Sequence, residues 1–125
     1  MQQPTLLFVD DEPNFLVLVD RILSGEGYRV TTALDSVQAL VYVDCTNFSL
    51  AVLDIKMAPV DGVEVLKRIK ERSPSTRVVM VTGYPTADNR IECLKLGASA
   101  YLAKPLDFSE LKATLRRLLA SNVAD

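Results

Sequence analysis

The residue types that could do chemistry in this chain are carboxylates, hydroxyls and lysines. The 125 residues include no histidine, which removes Ser-His-Asp and Cys-His hydrolysis together with the usual nitrogen ligands of zinc. Cys45 and Cys93 are isolated in sequence and form no CxxC pair, so both are predicted to be buried or half-buried thiols. Any reaction must therefore run on oxygen and ammonium groups.

Side chains of these types follow four of five short apolar runs, which we interpret as buried strands. The predicted strands are Leu6–Val9, Arg29–Ala33, Leu50–Leu53, Val78–Val81 and Ala100–Leu102. The residues after four of them are Asp10, Asp11 and Glu12, then Asp54, then Thr82 and Gly83, and then Lys104 and Pro105. Ligands of open parallel sheets bind beyond the carboxyl ends of the strands. These side chains are therefore predicted to share one site.

Several carboxylates at one sheet edge need a positive partner, because two like charges about 4 Å apart repel by about 4 kcal/mol near a protein surface. Oxygen ligands without histidine or cysteine favour a hard cation, and a few carboxylates suit Mg²⁺ better than Ca²⁺. Lys104 supplies a second, fixed positive charge. An aspartate ionised at neutral pH attacks phosphorus without a general base, so Asp54 is a candidate nucleophile for phosphoryl transfer.

Helical patterns separate the predicted strands. They run from Pro13 to Gly25, from Asp35 or Ser36 to about Cys45, from Gly62 to before Ser73, from about Ala87 to Leu96, and through Phe108, Leu111, Leu115 and Leu118. The first helix has a predicted apolar stripe of Phe15, Leu18, Val19, Ile22 and Leu23. Strands that are apolar throughout indicate a parallel sheet covered on both faces, so the fold class is a doubly wound α/β sandwich.

Composition limits the classes of protein. A chain of 125 residues with 49% hydrophobic and 24% charged residues predicts one domain over 1–125. The 14 Lys and Arg against 16 Asp and Glu give a net charge of −2, which argues against nucleic-acid binding by this domain alone. No apolar run is long enough to span a membrane, so we expect a cytoplasmic protein. Residues 121–125 are expected to be a frayed helix end or the start of a linker, with no output domain present.

Four segments resemble the receiver domains of bacterial two-component response regulators, and together they cover essentially the whole chain. The segments are FVDDEP (8–13), VLDIKMAPVDG (52–62), MVTGY (80–84) and GASAYLAKP (97–105). The resemblance implies a flavodoxin-like fold: a five-stranded parallel sheet in the order 2-1-3-4-5 with five helices. It also implies that Asp54 accepts a phosphoryl group from a sensor histidine kinase or a histidine phosphotransfer protein.

The resemblance further assigns roles to the residues around Asp54. Mg²⁺ would be held by the carboxylates of Asp11 and Asp54, by the backbone carbonyl of Lys56, and by Asp10 mainly through water. Three more roles are implied: Thr82 and Lys104 would bind the phosphoryl group, Thr82 and Tyr101 would form the conformational switch, and Lys104–Pro105 would be a cis peptide. Signalling would occur through the fourth helix, fifth strand and fifth helix, a surface that also offers a possible homodimer contact.

The chain departs from the family pattern at two positions. Two further positions are of the kind that sets the lifetime of the phosphoryl group in this family. Ala58 stands where the family usually has proline, which here comes one residue later at Pro59, so the loop is expected to bend differently. Ala100 replaces a frequent acidic residue. Lys56 and Tyr84 are the positions that usually tune hydrolysis of the acyl phosphate, and neither orients an attacking water. We therefore expect slow autodephosphorylation, with Tyr84 as the main shield.

Three alternatives remain open at this stage. A Mg²⁺-dependent phosphatase with an aspartate nucleophile would carry a second Asp two residues after it, where this chain has Lys56. A flavodoxin-type mononucleotide-binding protein would need a phosphate loop after the first strand, and that segment is acidic here. The third alternative is a receiver-like module that signals by protein contact without phosphorylation.

Overall fold

A computed structural model describes residues 3–120 as one parallel sheet with helices on both faces. The strands are β1 (Thr5–Val9), β2 (Arg29–Ala33), β3 (Leu50–Asp54), β4 (Arg77–Thr82) and β5 (Ala100–Ala103). The helices are α1 (Pro13–Gly25), α2 (Ser36–Cys45), α3 (Gly62–Arg72), α4 (Ala87–Lys95) and α5 (Phe108–Ala120). The strand order is β2-β1-β3-β4-β5 and all four pairings are parallel, which confirms the predicted fold class. The segment 121–125, predicted as a frayed end or linker, lies outside the described residues.

The sheet divides the core into two layers because successive strand residues point to opposite faces. Leu7 and Val9 of β1 pack into the layer that also holds α2 and α3. Leu6 and Phe8 pack into the layer formed with α1 and α5. Every residue of the central strand β3 is buried, whereas β2 at the sheet edge buries only its last residue, Ala33, completely. β3 is therefore the most completely buried strand of the sheet.

Two side chains lie elsewhere than predicted. In α1, Phe15, Val19, Ile22 and Leu23 of the predicted stripe pack into the core as expected, but Leu18 is 44% exposed and Leu16, at 4% exposure, is buried instead. Cys45, at the last turn of α2, is exposed, and only Cys93 is a buried thiol. Burial raises the pKa of the Cys93 thiol, which keeps it protonated and unreactive.

The pairing register brings the polar strand ends to one edge. Val9 is opposite both Ala33 and Leu53, Asp54 is opposite Val81, and Thr82 is opposite Ala103. The residues that follow these positions must leave the sheet at the same level. Within residues 3–120, no helix has the length and apolar character required to cross a bilayer.

Candidate functional site

The centre of the site is one ammonium group shared by two buried carboxylates. Lys104 Nζ donates to Asp54 Oδ2 at 2.6 Å and to Asp10 Oδ2 at 3.0 Å. The Asp10 and Asp54 side chains are 5% and 10% exposed, and that of Lys104 is 30% exposed. The structure therefore brings together residues from three different strand ends, as the sheet-edge argument predicts.

Backbone amides fix the other oxygen of each carboxylate. Asp10 Oδ1 accepts from the N–H of Glu12 at 2.9 Å, and Asp54 Oδ1 accepts from the N–H of Lys56 at 3.0 Å. Both are local bonds to the residue two positions later, an arrangement typical of aspartate in turns. Each carboxylate is thus oriented by its own loop, while its second oxygen faces the shared lysine.

Electrostatics keep Lys104 protonated. Burial alone would lower its pKa, but the hydrogen bonds that it donates to Asp54 and Asp10, together with their negative charges, outweigh burial, so the pKa of Lys104 lies above the ordinary value of 10.5. The cation is therefore permanent at physiological pH, and it neutralises only one of the two buried charges.

The donor set fits a hard divalent cation chemically. Asp10 and Asp54 supply buried carboxylate oxygens, and Asp11 is exposed directly beside Asp10 in sequence. Within residues 3–120, however, no three acidic, cysteine or histidine side chains already stand close enough together to enclose a metal ion. The carboxylates that the structure does bring together are Asp10 and Asp54, and Lys104 bridges them. Asp11 is not part of that cluster.

A second group of contacts involves Thr82 and two residues of neighbouring loops, Tyr84 and Lys56. The Thr82 side chain is buried, and its Oγ1 accepts from the N–H of Tyr84 at 3.0 Å. Tyr84 itself is 70% exposed, and Lys56 Nζ lies 4.7 Å from the centre of its ring, within cation–π range. The two predicted tuning positions are therefore in contact with each other. This contact was not predicted, because nothing in the sequence pairs the β3–α3 loop with the β4–α4 loop.

Tyr101 lies farther from the carboxylates. It is half-buried in β5, opposite Met80, and its hydroxyl accepts from the N–H of Thr86 at 3.4 Å. That bond connects β5 to the residue that caps α4, since Thr86 Oγ1 accepts from the N–H of Asn89. The predicted switch residue is thus connected to the β4–α4 loop that also carries Tyr84.

Gly62 positions the loop that follows Asp54, a role that the sequence did not reveal. A Cβ at this position would overlap the backbone carbonyl oxygen of Asp54 and press on Ile55, so the start of α3 approaches β3 as closely as only glycine permits. Gly62 N–H also donates to the carbonyl of Ile55 at 2.8 Å. The Asp61–Gly62 pair marks a turn in the sequence but gives no sign of this contact.

Two proline peptide bonds near the site are cis. One is Lys104–Pro105, at the residue that carries the shared ammonium, and the other is Ala58–Pro59, in the loop where proline is displaced by one position.

Comparison with known proteins agrees with this geometry. The family described as the response regulator receiver domain matches residues 6–116, and this chain belongs to that family. It is a receiver domain of a two-component response regulator, and the phosphatase, mononucleotide-binding and phosphorylation-independent alternatives are not favoured.

Individual relatives support the same assignment. The transcriptional regulatory protein ZraR of Klebsiella oxytoca is 44% identical over 95% of this chain and 27% of its own length, so the chain spans about a quarter of that relative. A CheY-like receiver domain protein from Methanospirillum hungatei has a TM-score of 0.92 with 32% identity over 96% of both chains. The response regulator TrrA from Thermotoga maritima, solved in complex with Mg²⁺-BeF, has a TM-score of 0.80 with 32% identity, covering 94% of this chain and 99% of its own.

We predict that Gly62→Ala both destabilises the fold and damages the site. The added methyl forces the Asp54 carbonyl away from α3, and overpacking of this kind costs about 1–3 kcal/mol. Urea unfolding measures the loss of stability, and the NMR amide shifts of residues 54–56 report the displacement. Gly25→Ala is the matched control, because a Cβ there meets nothing within 4 Å. Equal stability of the two variants would contradict the prediction.

We also predict that Lys104→Met lowers the free energy of unfolding at neutral pH by about 1–3 kcal/mol, because it leaves two carboxylates without their cation. The folded-state pKa of Lys104 is raised, so its contribution is complete below the pKa of an unfolded lysine, about 10.4. The contribution disappears as pH rises through the higher folded-state value. Denaturant titrations at neutral and alkaline pH should therefore show the two proteins converging.

The control for this experiment is Lys112→Met. Lys112 forms a looser ion pair with Glu26, at 3.8 Å, and we expect a much smaller effect at neutral pH. If the difference in free energy of unfolding between wild type and Lys104→Met widened with rising pH, the raised folded-state pKa of Lys104 would be refuted.

Proposed function

We propose that Asp54 accepts a phosphoryl group from the phosphohistidine of a sensor histidine kinase or histidine phosphotransfer protein. The observation that carries the proposal is the pair of bonds from Lys104 to Asp54 and Asp10 at the carboxyl edge of the sheet. In the transfer, a bond forms between an Asp54 carboxylate oxygen and phosphorus while the phosphorus–nitrogen bond of the donor breaks. The imidazole leaves with the bonding electron pair.

Lys104 and Thr82 are suited to bind the transferred group. The ammonium of Lys104 already lies 2.6 Å from an Asp54 oxygen, so it meets the negative charge of a phosphoryl group attached there. Thr82 Oγ1 accepts a hydrogen bond from Tyr84, which leaves its own proton available for a phosphoryl oxygen. Transfer of this kind depends mainly on positioning and charge neutralisation.

Mg²⁺ is the cofactor that the oxygen donors favour. Asp10 and Asp54 share one ammonium, Asp11 adds an exposed carboxylate next in sequence to Asp10, and phosphorylation adds about two further negative charges. Asp11, Asp54 and the Lys56 carbonyl are the proposed direct ligands, with Asp10 acting mainly through water. When bound, a divalent ion neutralises phosphoryl oxygens that Lys104 alone cannot.

Signal output is proposed to run through α4, β5 and α5. Thr82 and Tyr101 lie on neighbouring strands, and Tyr101 contacts the N–H of Thr86 at the start of α4. A cavity of about 680 Å³ adjoins this face, where Ile91 and Leu94 of α4 are 52% and 42% exposed. A shift of Thr82 toward a phosphoryl group would release or redirect Tyr101 and reshape this surface. It is also the proposed face for a homodimer or a downstream partner.

The domain acts as a signalling element, and the only reactions that we assign to it are its own phosphorylation and slow autodephosphorylation. A phosphatase of the aspartate-nucleophile type needs an acid–base group two residues after the nucleophile. Lys56 occupies that position, and its ammonium lies over the Tyr84 ring. We propose that the Lys56–Tyr84 pair excludes water from the site rather than activating it.

We predict that the wild-type domain forms an adduct with acetyl phosphate or beryllofluoride in the presence of Mg²⁺, and that Asp54→Asn forms none. The amide cannot act as the nucleophile, so an acyl phosphate cannot form. Intact-protein mass spectrometry detects the phosphoryl adduct. Asp20→Asn is the control, since Asp20 lies exposed on α1 and accepts only from Ser24 in the described structure. No adduct with wild type, or an undiminished one with Asp54→Asn, would refute the proposal.

Tyr84→Ala is predicted to shorten the lifetime of the acyl phosphate. Loss of a solvent-exposed cation–π contact is worth about 0.5–1 kcal/mol, so we expect hydrolysis to accelerate by about two- to fivefold. Tyr84→Phe keeps the ring and should retain the wild-type lifetime. Decay of the phosphorylated form after removal of the donor gives the rates, and an unchanged rate for Tyr84→Ala would show that the ring is no shield.

A further inference from the structure

Ser36, the first residue of α2, is buried beside the loop that follows the phosphoacceptor. Its side chain is 0% exposed, and its Oγ accepts from the N–H of Val60 at 2.9 Å. The sequence suggests for this serine nothing more than a helix cap, and the cap is in fact Asp35. The Ser36 hydroxyl is therefore free to bind a different segment of the chain.

The start of α2 is a fixed point in the structure. Asp35 Oδ1 accepts from the N–H of Gln38 at 2.8 Å, and Gln38 Oε1 accepts from the N–H of Leu34 at 2.8 Å. The carbonyl of Ala33 accepts from the N–H of Asp10 at 3.1 Å. This helix end is thus capped in both directions and is bonded to the loop that carries Asp10.

The β3–α3 loop is fastened at its two ends. Ile55 N–H donates to the carbonyl of Val81 at 2.9 Å, and Gly62 N–H donates to the carbonyl of Ile55 at 2.8 Å. Val60 lies between these anchors, and its bond to Ser36 attaches the middle of the loop to α2. The same loop contains Lys56, whose N–H orients Asp54 and whose carbonyl is the proposed metal ligand.

We propose that Ser36 is a positioning residue for the phosphorylation site. Its hydroxyl holds the β3–α3 loop through Val60, and the loop in turn places the Lys56 carbonyl and Asp54 for Mg²⁺ binding. This inference rests on the proposed function. It adds that Mg²⁺ affinity depends on a side chain that touches neither the metal nor the phosphoryl group.

The test compares Ser36→Ala with Ser49→Ala. Ser49 lies at the amino-terminal end of the strands, opposite the end that carries the site. Ser49 Oγ accepts from the N–H of Thr5 at 3.1 Å, at the amino end of β3 and far from the carboxylates. Ser49→Ala therefore removes an equivalent hydroxyl acceptor without touching the site. Ser36→Cys, which keeps a weak acceptor of similar size, provides an intermediate variant that preserves packing.

Two measurements are made on each folded variant: the Mg²⁺ dissociation constant from NMR amide titration, and the hydrogen exchange rate of the Val60 amide. Groups that bond a metal ligand directly change affinity by about 10- to 100-fold, and Ser36 acts one step farther away, so we expect Ser36→Ala to weaken Mg²⁺ binding by about three- to tenfold. Val60 exchange should accelerate in parallel, Ser36→Cys should lie between, and Ser49→Ala should match wild type.

The outcomes separate this inference from the proposed function. Wild-type Mg²⁺ affinity in Ser36→Ala, or equal weakening in Ser36→Ala and Ser49→Ala, overturns the positioning role while leaving the proposed function intact. A wild-type domain that binds no Mg²⁺ overturns the proposed function and this inference with it. Selective weakening in Ser36→Ala, accompanied by faster exchange at Val60, supports the inference.

Discussion

The site depends on one constraint: two buried carboxylates must share a single ammonium group. Removing charges from water is costly unless they are paired and hydrogen-bonded, and Asp10 and Asp54 satisfy that requirement only because Lys104 reaches both. The strand order makes this possible. β1 and β3 are neighbours, which places the two aspartates side by side, whereas Lys104 follows β5 and must extend past the end of β4. The side chains at the end of β4 are small, because its last residue, Thr82, is followed by Gly83. A long side chain is needed to cross that distance, and lysine provides it.

The positions of the strands and the clustering of charged side chains at one end of the sheet were predictable for simple physical reasons. Apolar runs gave all five strands to within one or two residues, and parallel strands necessarily bring their carboxyl ends to one edge, so Asp10, Asp54 and Lys104 had to converge. The specific roles of Thr82, Tyr101 and Lys56 came from the family resemblance. One residue of the inward face of α1 was mispredicted, because Leu16 and Leu18 are equally apolar and packing against the sheet decides between them. Cys45 was misjudged because a thiol at a helix end has no periodic signal of burial.

Contacts between loops lay beyond prediction. Ser36 with Val60, Lys56 with Tyr84, and Gly62 with the Asp54 carbonyl each join segments whose approach depends on loop shape, and loop shape is set by tertiary packing rather than by local residue preference. These three contacts share a feature. Each fixes the backbone around Asp54 or Thr82 without contributing a group to the carboxylate cluster itself. The chemistry of the site can therefore be inferred from residue types, but the precision of its geometry cannot.

The shared ammonium also suggests how phosphorylation and metal binding are coupled. Lys104 now divides its hydrogen bonds between Asp54 and Asp10. Under the proposed function, a phosphoryl group on Asp54 adds negative oxygens beside the same ammonium, whose single positive charge is then shared among more groups. Asp10 and the phosphoryl oxygens together carry more negative charge than Lys104 neutralises, which favours binding of another cation. Bound Mg²⁺ is that cation under the proposed function, so metal and phosphoryl group should strengthen each other's binding by the same factor. The β3–α3 loop, which Ser36 holds, connects the two events. It carries both the Lys56 N–H that donates to Asp54 and the Lys56 carbonyl that is the proposed metal ligand.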